Sequence, residues 1–149
     1  MIDKSKLISK CIESGRSATP QRIAIFDELD YSGQNLSAYD LLNRLNNKGQ
    51  TFNISTIYRV LDFWIEMNAI HKIESNNTYL ICNDQHTNHF HVLLQCTNCK
   101  SVEESCQVST RLSLPESNSF TIKGGQAIEF LGLCAYCTIR NEHIFCDES

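Results

Sequence analysis

The chain has 149 residues, enough for one domain of ordinary size or two small ones. At 42% hydrophobic and 20% charged it has globular composition, and no run approaches the length of a membrane span. Its formal charge of -4 comes from the C-terminal half: residues 1–82 hold 9 basic and 9 acidic side chains, whereas residues 83–149 hold 4 and 8, so bulk charge does not advertise nucleic acid.

The N-terminal segment Met1-Ile2-Asp3-Lys4-Ser5-Lys6-Leu7 lacks the apolar core of a signal peptide. This predicts a cytoplasmic protein whose 8 cysteines are reduced. The first half then reads as helices. Thr19-Pro20 is an N-cap followed by proline at the first helical position, with Ile23, Phe26 and Leu29 at near-helical spacing. Ser37-Ala38-Tyr39-Asp40 is a capping-box start. Ala38, Leu41, Leu42 and Leu45 form an amphipathic stripe that ends at Asn46-Asn47-Lys48-Gly49. Ser55 is the expected cap of the next helix, whose buried stripe is Ile57, Val60, Leu61 and Trp64 and which Asn68 closes.

A hairpin follows. Ile70–Glu74 and Thr78–Cys82 are β-rich runs around Ser75-Asn76-Asn77, and asparagine tolerates the positive φ of a tight turn. Helix, helix, turn, helix and a two-stranded wing is the order of a winged helix-turn-helix, in which a capped helix enters the DNA major groove. Lys4, Lys6, Lys10, Arg16, Arg22, Lys48 and Arg59 could form a positive face or be ordinary solvated charges. Three-helix clusters with a hairpin also occur as plain interaction modules.

Residues 83–89 are polar and read as a linker. The second half predicts strands at Phe90–Cys96, Ser101–Glu104, Phe120–Lys123 and Ala127–Leu131, and a short helix at Ser109–Leu114 ended by Pro115. The stretch Thr138–Ser149 has no strong pattern. The expected fold class is α+β: a winged helix-turn-helix over residues 1–82, a hinge at 83–89, and a small α/β domain over 90–149.

Cys96-Thr97-Asn98-Cys99 and Cys134-Ala135-Tyr136-Cys137 are two knuckles, each holding two thiols on one tight turn. Together they offer the four soft ligands of a structural zinc, a four-cysteine clamp on both ends of the intervening segment. The other reading is a pair of redox dithiols or disulfides. If Asn76-Asn77 is the hairpin turn, His71 sits directly opposite Cys82, with Cβ atoms about 5 Å apart. An imidazole and a thiolate so placed are half of a borderline-soft metal site. His86, His89 and His91 follow in the linker and first strand, and Glu103 and Glu104 come after Cys99. His71, Cys82, one linker histidine and one glutamate would then hold a second metal bridging the two halves. His89 and His91 point to one face of an extended strand, so spacing alone does not choose between them. A zinc hydrolase, with Glu104 as base and an open coordination position, is a further reading of the same residues.

Thr19-Pro20-Gln21-Arg22, Ser37-Ala38-Tyr39-Asp40-Leu41-Leu42, Ser55-Thr56-Ile57-Tyr58-Arg59-Val60-Leu61, His71-Lys72-Ile73-Glu74-Ser75 and Gly132-Leu133-Cys134-Ala135-Tyr136-Cys137 resemble the ferric uptake regulator family, most closely its zinc uptake regulator branch. The resemblance covers about residues 18–137. It implies a homodimeric, metal-dependent transcription factor, usually a repressor, with an N-terminal winged helix and a C-terminal dimerisation domain. It implies two zinc ions per chain: a structural one on Cys96, Cys99, Cys134 and Cys137, and a regulatory one on His71, Cys82, His89 and Glu104, with His91 as alternate. It makes Tyr58 and Arg59 the base-reading pair, supported by Ser55, Thr56, Tyr39 and Arg22. Relatives that sense iron or peroxide carry a denser histidine run with an aspartate. The stretch His86-Thr87-Asn88-His89-Phe90-His91 has no aspartate, which favours zinc. The implied partner is a pseudo-palindromic double-stranded operator, with no membrane and no small-molecule substrate.

Overall fold

The computed structural model describes residues 3–82, 91–105, 119 and 127–145. The chain divides into two compact units, Met1–Thr87 and Asn88–Ser149. Among the described residues no helix is long and apolar enough to cross a membrane.

The first unit runs α1 (Lys4–Glu13), α2 (Pro20–Ser32), α3 (Ala38–Asn47), α4 (Ile54–Glu66), β1 (Ile70–Ile73) and β2 (Thr78–Ile81). Each helix starts on a side-chain cap, because the first backbone N–H groups have no partner inside the helix. The Thr19 hydroxyl accepts from the Arg22 N–H, and Gly33 closes α2 at φ 61°. Ser37 and Asp40 form a reciprocal capping box at α3: the Ser37 hydroxyl accepts from the Asp40 N–H at 3.1 Å, and the Asp40 carboxylate accepts from the Ser37 N–H at 2.9 Å. The Ser37 hydroxyl's own donation, together with that second bond, holds the Asp40 carboxyl below its ordinary range. Ser37→Ala removes the hydroxyl from this exchange. It is expected to cost about 1 kcal/mol, read as a lower melting temperature by about 4–8 °C for a unit of this size. An unchanged melting temperature would show that α3 is held by packing alone.

The cap of α4 departs from expectation. Asn53, not Ser55, caps it: its side-chain oxygen accepts from the Thr56 N–H at 2.8 Å and the Thr56 hydroxyl at 3.0 Å. Asn53-Ile54-Ser55-Thr56 offers two capping residues, and the earlier one wins. Ser55 is thereby placed inside the first turn, exposed. Helix α1 was also not legible. Only Leu7 and Cys11, one turn apart, enter the core from it, too short a stripe to stand out.

The core gathers Ile25, Leu29, Leu41, Leu45, Ile57, Leu61, Trp64 and Ile70, each at most 1% exposed. Phe26 and Phe63 flank the Trp64 ring at centroid distances of 5.1 and 4.9 Å. The indole N–H donates to the Arg22 carbonyl at 2.9 Å, so its one polar atom is satisfied. This fixes α4 on α2 and leaves the opposite face of α4 outward.

The wing is an antiparallel β1–β2 hairpin, and Leu36 adds an isolated bridge to Tyr79. Its register corrects the expected pairing. Ile73 pairs with Thr78 across the four turn residues 74–77, with Asn77 at φ 54°. His71 therefore lies opposite Leu80, not Cys82. The loop holds two more residues than the tightest hairpin turn, which moves the pairing by two. An even shift keeps each side chain on its face, because strands alternate with period 2. Cys82 remains on the face of His71 as its diagonal neighbour, anchored by its N–H to the Ala69 carbonyl at 2.9 Å.

The second unit contains β3 (His91–Cys96), β4 (Val102–Glu104), β5 (Ala127–Gly132) and a helix, α5 (Ala135–Phe145). The sheet order is β4-β3-β5, with β3 antiparallel to β4 and parallel to β5. Phe90, the helix expected at 109–114 and the strand expected at 120–123 lie outside the described residues. The stretch after Cys137, which shows no strong pattern in sequence, is helical to Phe145. Of its side chains at 135–140 only Cys137 is buried, while Tyr136 and Ile139 are 66% and 56% exposed, so there is no apolar stripe to read.

Candidate metal centre and nucleic-acid interface

Parallel pairing of β3 with β5 sets Cys96 beside Gly132, bringing the ends of the two strands together. The first knuckle leaves β3 as a tight turn. The Lys100 N–H donates to the Cys96 carbonyl at 3.0 Å, the Cys96 N–H donates to the Ser101 carbonyl at 2.9 Å, and Lys100 turns left-handed at φ 64°. The Thr97 N–H donates to the Gly132 carbonyl at 2.8 Å and ties this turn to β5. Cys134 follows directly, and Cys137 lies in the first turn of α5.

The Sγ atoms of Cys96, Cys99, Cys134 and Cys137 lie within 4.8 Å of one another. All four are free thiols. Cys99 and Cys134 have their sulfurs 3.8 Å apart, far beyond a disulfide bond of about 2.05 Å. A tetrahedral zinc with Zn–S of about 2.3 Å holds its sulfurs about 3.8 Å apart. The donor set and its spacing fit that ion.

Backbone N–H groups point at the cluster. Those of Cys134, then Cys99 and Asn98, bring the Cys96 thiol down to about 6. The Ser101 hydroxyl and N–H lower Cys99. At Cys137 the Asn98 side-chain N–H, 3.4 Å from Sγ, lowers the thiol, but burial and the three neighbouring sulfurs outweigh it and hold it at about 11. Four sulfurs this close cannot all ionise without a cation among them. Asn98 was not singled out in sequence; its signal was its place between the two cysteines of the first knuckle.

The expected second set is seen as two pairs, one in each unit. In the first unit, a ring nitrogen of His71 and Sγ of Cys82 lie within 4.8 Å, and the residues are 2% and 0% exposed. In the second, His91 Nδ1 lies 2.7 Å from Glu104 Oε1, with side chains 3% and 4% exposed. Glu104 sits opposite Leu93 on β4 and so shares a face with His91, two residues away on β3. His89 lies outside the described residues. The imidazole, thiol and carboxylate chemistry of these pairs suits zinc.

Of the residues expected on DNA, Ser55 and Arg59 are exposed one turn apart on α4, and Tyr39 is 60% exposed in the first turn of α3. Tyr58 is half-buried, and Thr56 is engaged with the Asn53 cap. Arg22 is differently engaged. Its guanidinium lies 3.7 Å from the Phe63 ring centroid and donates to the Ser17 carbonyl, bracing α2 against α4. Part of the expected positive face is neutralised locally: Arg16 pairs with Glu66, Lys4 with Asp27 at 2.6 Å, and Lys48 with the buried Glu28.

A model of the ferric uptake regulator family matches residues 13–117. The zinc uptake regulation protein of Escherichia coli (strain K12) is 33% identical over 132 residues, covering 85% of this chain and 76% of that protein. The ferric uptake regulation protein of Synechococcus elongatus is 30% identical over 97 residues, 62% of this chain and 64% of that one. A solved zinc uptake regulator complexed with zinc and DNA superposes with a TM-score of 0.72 at 26% identity, covering 95% of this chain and 99% of that chain. The holo form of the regulator XcZur gives 0.68 at 27% identity, covering 91% and 96%. The chain thus belongs to the ferric uptake regulator family.

Proposed function

We propose that the protein is a zinc-responsive, DNA-binding transcription regulator, a repressor of zinc-uptake genes that acts as a homodimer in the cytoplasm. The observation that carries this is the buried His71–Cys82 pair on the wing of the DNA-reading unit, which puts soft metal donors on the very element that flanks α4. A thiolate in that set favours zinc over iron. The likeness to a zinc uptake regulator solved with zinc and DNA supports the same reading.

Two zinc ions per chain are assigned. Cys96, Cys99, Cys134 and Cys137 would hold one, whose bonds contribute directly to the folding of the second unit. His71 and Cys82 from the wing, with His91 and Glu104 from the second unit, would hold the other. Of the two candidate histidines, His91 is assigned on its burial against Glu104; His89 lies outside the described residues. Held by these residues, zinc would supply coordination bonds to wing donors and second-unit donors alike, and the DNA-competent arrangement would then be favoured by population shift. With Glu104 as a ligand, this assignment would leave neither a free base nor an open coordination position for hydrolysis, and membership of a regulator family supports the same reading.

Homodimerisation is supported by the exposed apolar side chains Phe130, Leu131, Leu133, Tyr136 and Ile139, which follow one another from β5 into α5. A twofold dimer presents two copies of α4 about one groove repeat apart, about 34–36 Å, to a pseudo-palindromic site. The test is a zinc titration of binding to duplexes selected by the zinc-loaded protein. Affinity is expected to rise with zinc and fall on chelation of the weaker ion; binding indifferent to zinc would sink the reading.

Arg59 is the principal base reader in this proposal. Arg59→Ala is expected to weaken binding to the selected duplex by about 1–3 kcal/mol and to relax preference at one base pair. An equal loss on random duplex would reassign Arg59 to a phosphate.

A further inference from the structure

The outward face of α4 is not uniformly basic. Ile57, Val60, Leu61, Phe63 and Trp64 turn inward, leaving Ser55, Arg59, Asp62 and Glu66 exposed along one stripe. Glu66, at the far end, is ion-paired with Arg16 of the segment after α1. Asp62 is different. It stands three residues past Arg59, where helix neighbours meet, and is exposed. Its charge acts on Lys72 of β1, whose ammonium is held protonated first by Glu74 at 3.0 Å and more weakly by Asp62. A carboxylate thus shares the exposed stripe of α4 with Arg59.

A carboxylate on a DNA-reading face accepts hydrogen bonds and donates none. Against phosphates and the acceptor-rich edge of guanine it is repelled. The edge that suits it is the N4 amino group of cytosine. Three residues of helix rise about 4.5 Å, close to one base step of about 3.4 Å. Charge in this unit is balanced, 9 basic against 9 acidic over residues 1–82, so sequence-independent attraction is weak and one carboxylate weighs heavily in it.

We infer that Asp62 is a specificity-determining residue of the α4 surface, accepting from a cytosine amino group one base step from the pair read by Arg59 and disfavouring duplexes that lack it. The inference rests on the DNA-binding reading above. It makes Asp62 a source of discrimination more than of affinity.

The test is selection from a randomised duplex pool by the zinc-loaded full-length protein, its Asp62→Asn variant and its Asp62→Ala variant. Wild type should enrich a motif with cytosine beside the Arg59-read position. Both variants should lose that preference and retain about tenfold more of the unselected pool, with melting temperature unchanged because Asp62 is exposed. Variants that enrich the same motif with the same strength at every position overturn the inference. So does a rise that is equal on selected and unselected duplexes, which would make Asp62 a background charge only. A wild-type protein that enriches nothing with zinc fails the functional reading itself, a result the variants cannot mimic.

Discussion

Serine in place of Cys96 or Cys134 is expected to strip the chain of its chelator-resistant zinc and to unfold the second unit while the first stays folded. A structural zinc contributes its binding energy to folding, and apparent values for such sites in small domains run to about 10–16 kcal/mol at neutral pH. The first knuckle is otherwise tied to the end of β5 by the backbone bond from Thr97 to Gly132 and the Thr97 hydroxyl's donation to the same carbonyl. A hydroxyl is a poor zinc donor at neutral pH, so three thiols and a serine hold the ion far less tightly. The measurements are zinc per chain after dialysis against a chelator, and amide hydrogen exchange resolved by segment. Full zinc content with wild-type protection at residues 91–105 and 127–140 would remove Cys96 and Cys134 from the structural site. The first unit, built on Trp64, Ile25 and Leu41, has an apolar core of its own and serves as the internal control.

The sequence showed the second site's chemistry better than its geometry. Cys-x-x-Cys spacing is informative because two thiols on one turn have few other uses, so the clamp was legible without any fold. The wing pair was legible only in part. Spacing put His71 and Cys82 on one face, and that held because the register moved by an even number of residues; an odd shift would have separated them. Turn length, which sets register, depends on how Glu74, Ser75, Asn76 and Asn77 share the bend, and three of these four are common turn residues. Which histidine meets the glutamate was not legible, because His89 and His91 have the same parity. Across β3 and β4 Glu104 approaches His91, which is a tertiary fact; His89 lies outside the described residues.

The helices divide in the same way. α2 and α3 carry a stop or start that few other structures would use: Thr19-Pro20 and the Ser37/Asp40 box. α4 was legible in its apolar stripe but not in its first residue, since Asn53 and Ser55 cap equally well. α1 and α5 escaped because neither buries a full stripe. α1 contributes Leu7 and Cys11, and the described side chains of α5 contribute Cys137 alone. Arg22 shows the limit for function. A cation in a motif invites a role on DNA, and this one also lies over the Phe63 ring and donates to the Ser17 carbonyl. A sequence does not reveal which cations are already occupied.

Cys82→Ser is expected to separate sensing from folding. The variant should remain a folded dimer, keep the zinc of the cysteine clamp, and lose the zinc response of DNA binding. Separability follows from placement. The clamp draws its four sulfurs from the second unit alone, whereas Cys82 is fixed on the wing by its own backbone bond to Ala69. Serine is nearly isosteric, so the fully buried site loses a thiolate donor and little volume. The zinc needed for half-maximal DNA binding should rise by about a hundredfold or more, in line with the loss of one of four donors. His71→Ala should shift the titration in the same direction. In this proposal His91→Ala should shift it more than His89→Ala, because His91 is the histidine seen against Glu104 among the described residues. Glu104→Ala should have the same sign and a smaller size, since a carboxylate is the weaker donor to zinc beside a thiolate. The discriminating comparison is one zinc titration of duplex binding across these five variants, with zinc content measured on the same samples. A Cys82→Ser protein that binds its duplex at the wild-type zinc concentration would falsify the wing site. The buried pair on β1 and after β2 would then be a packing feature of the winged helix, and the zinc response would have to originate within the second unit.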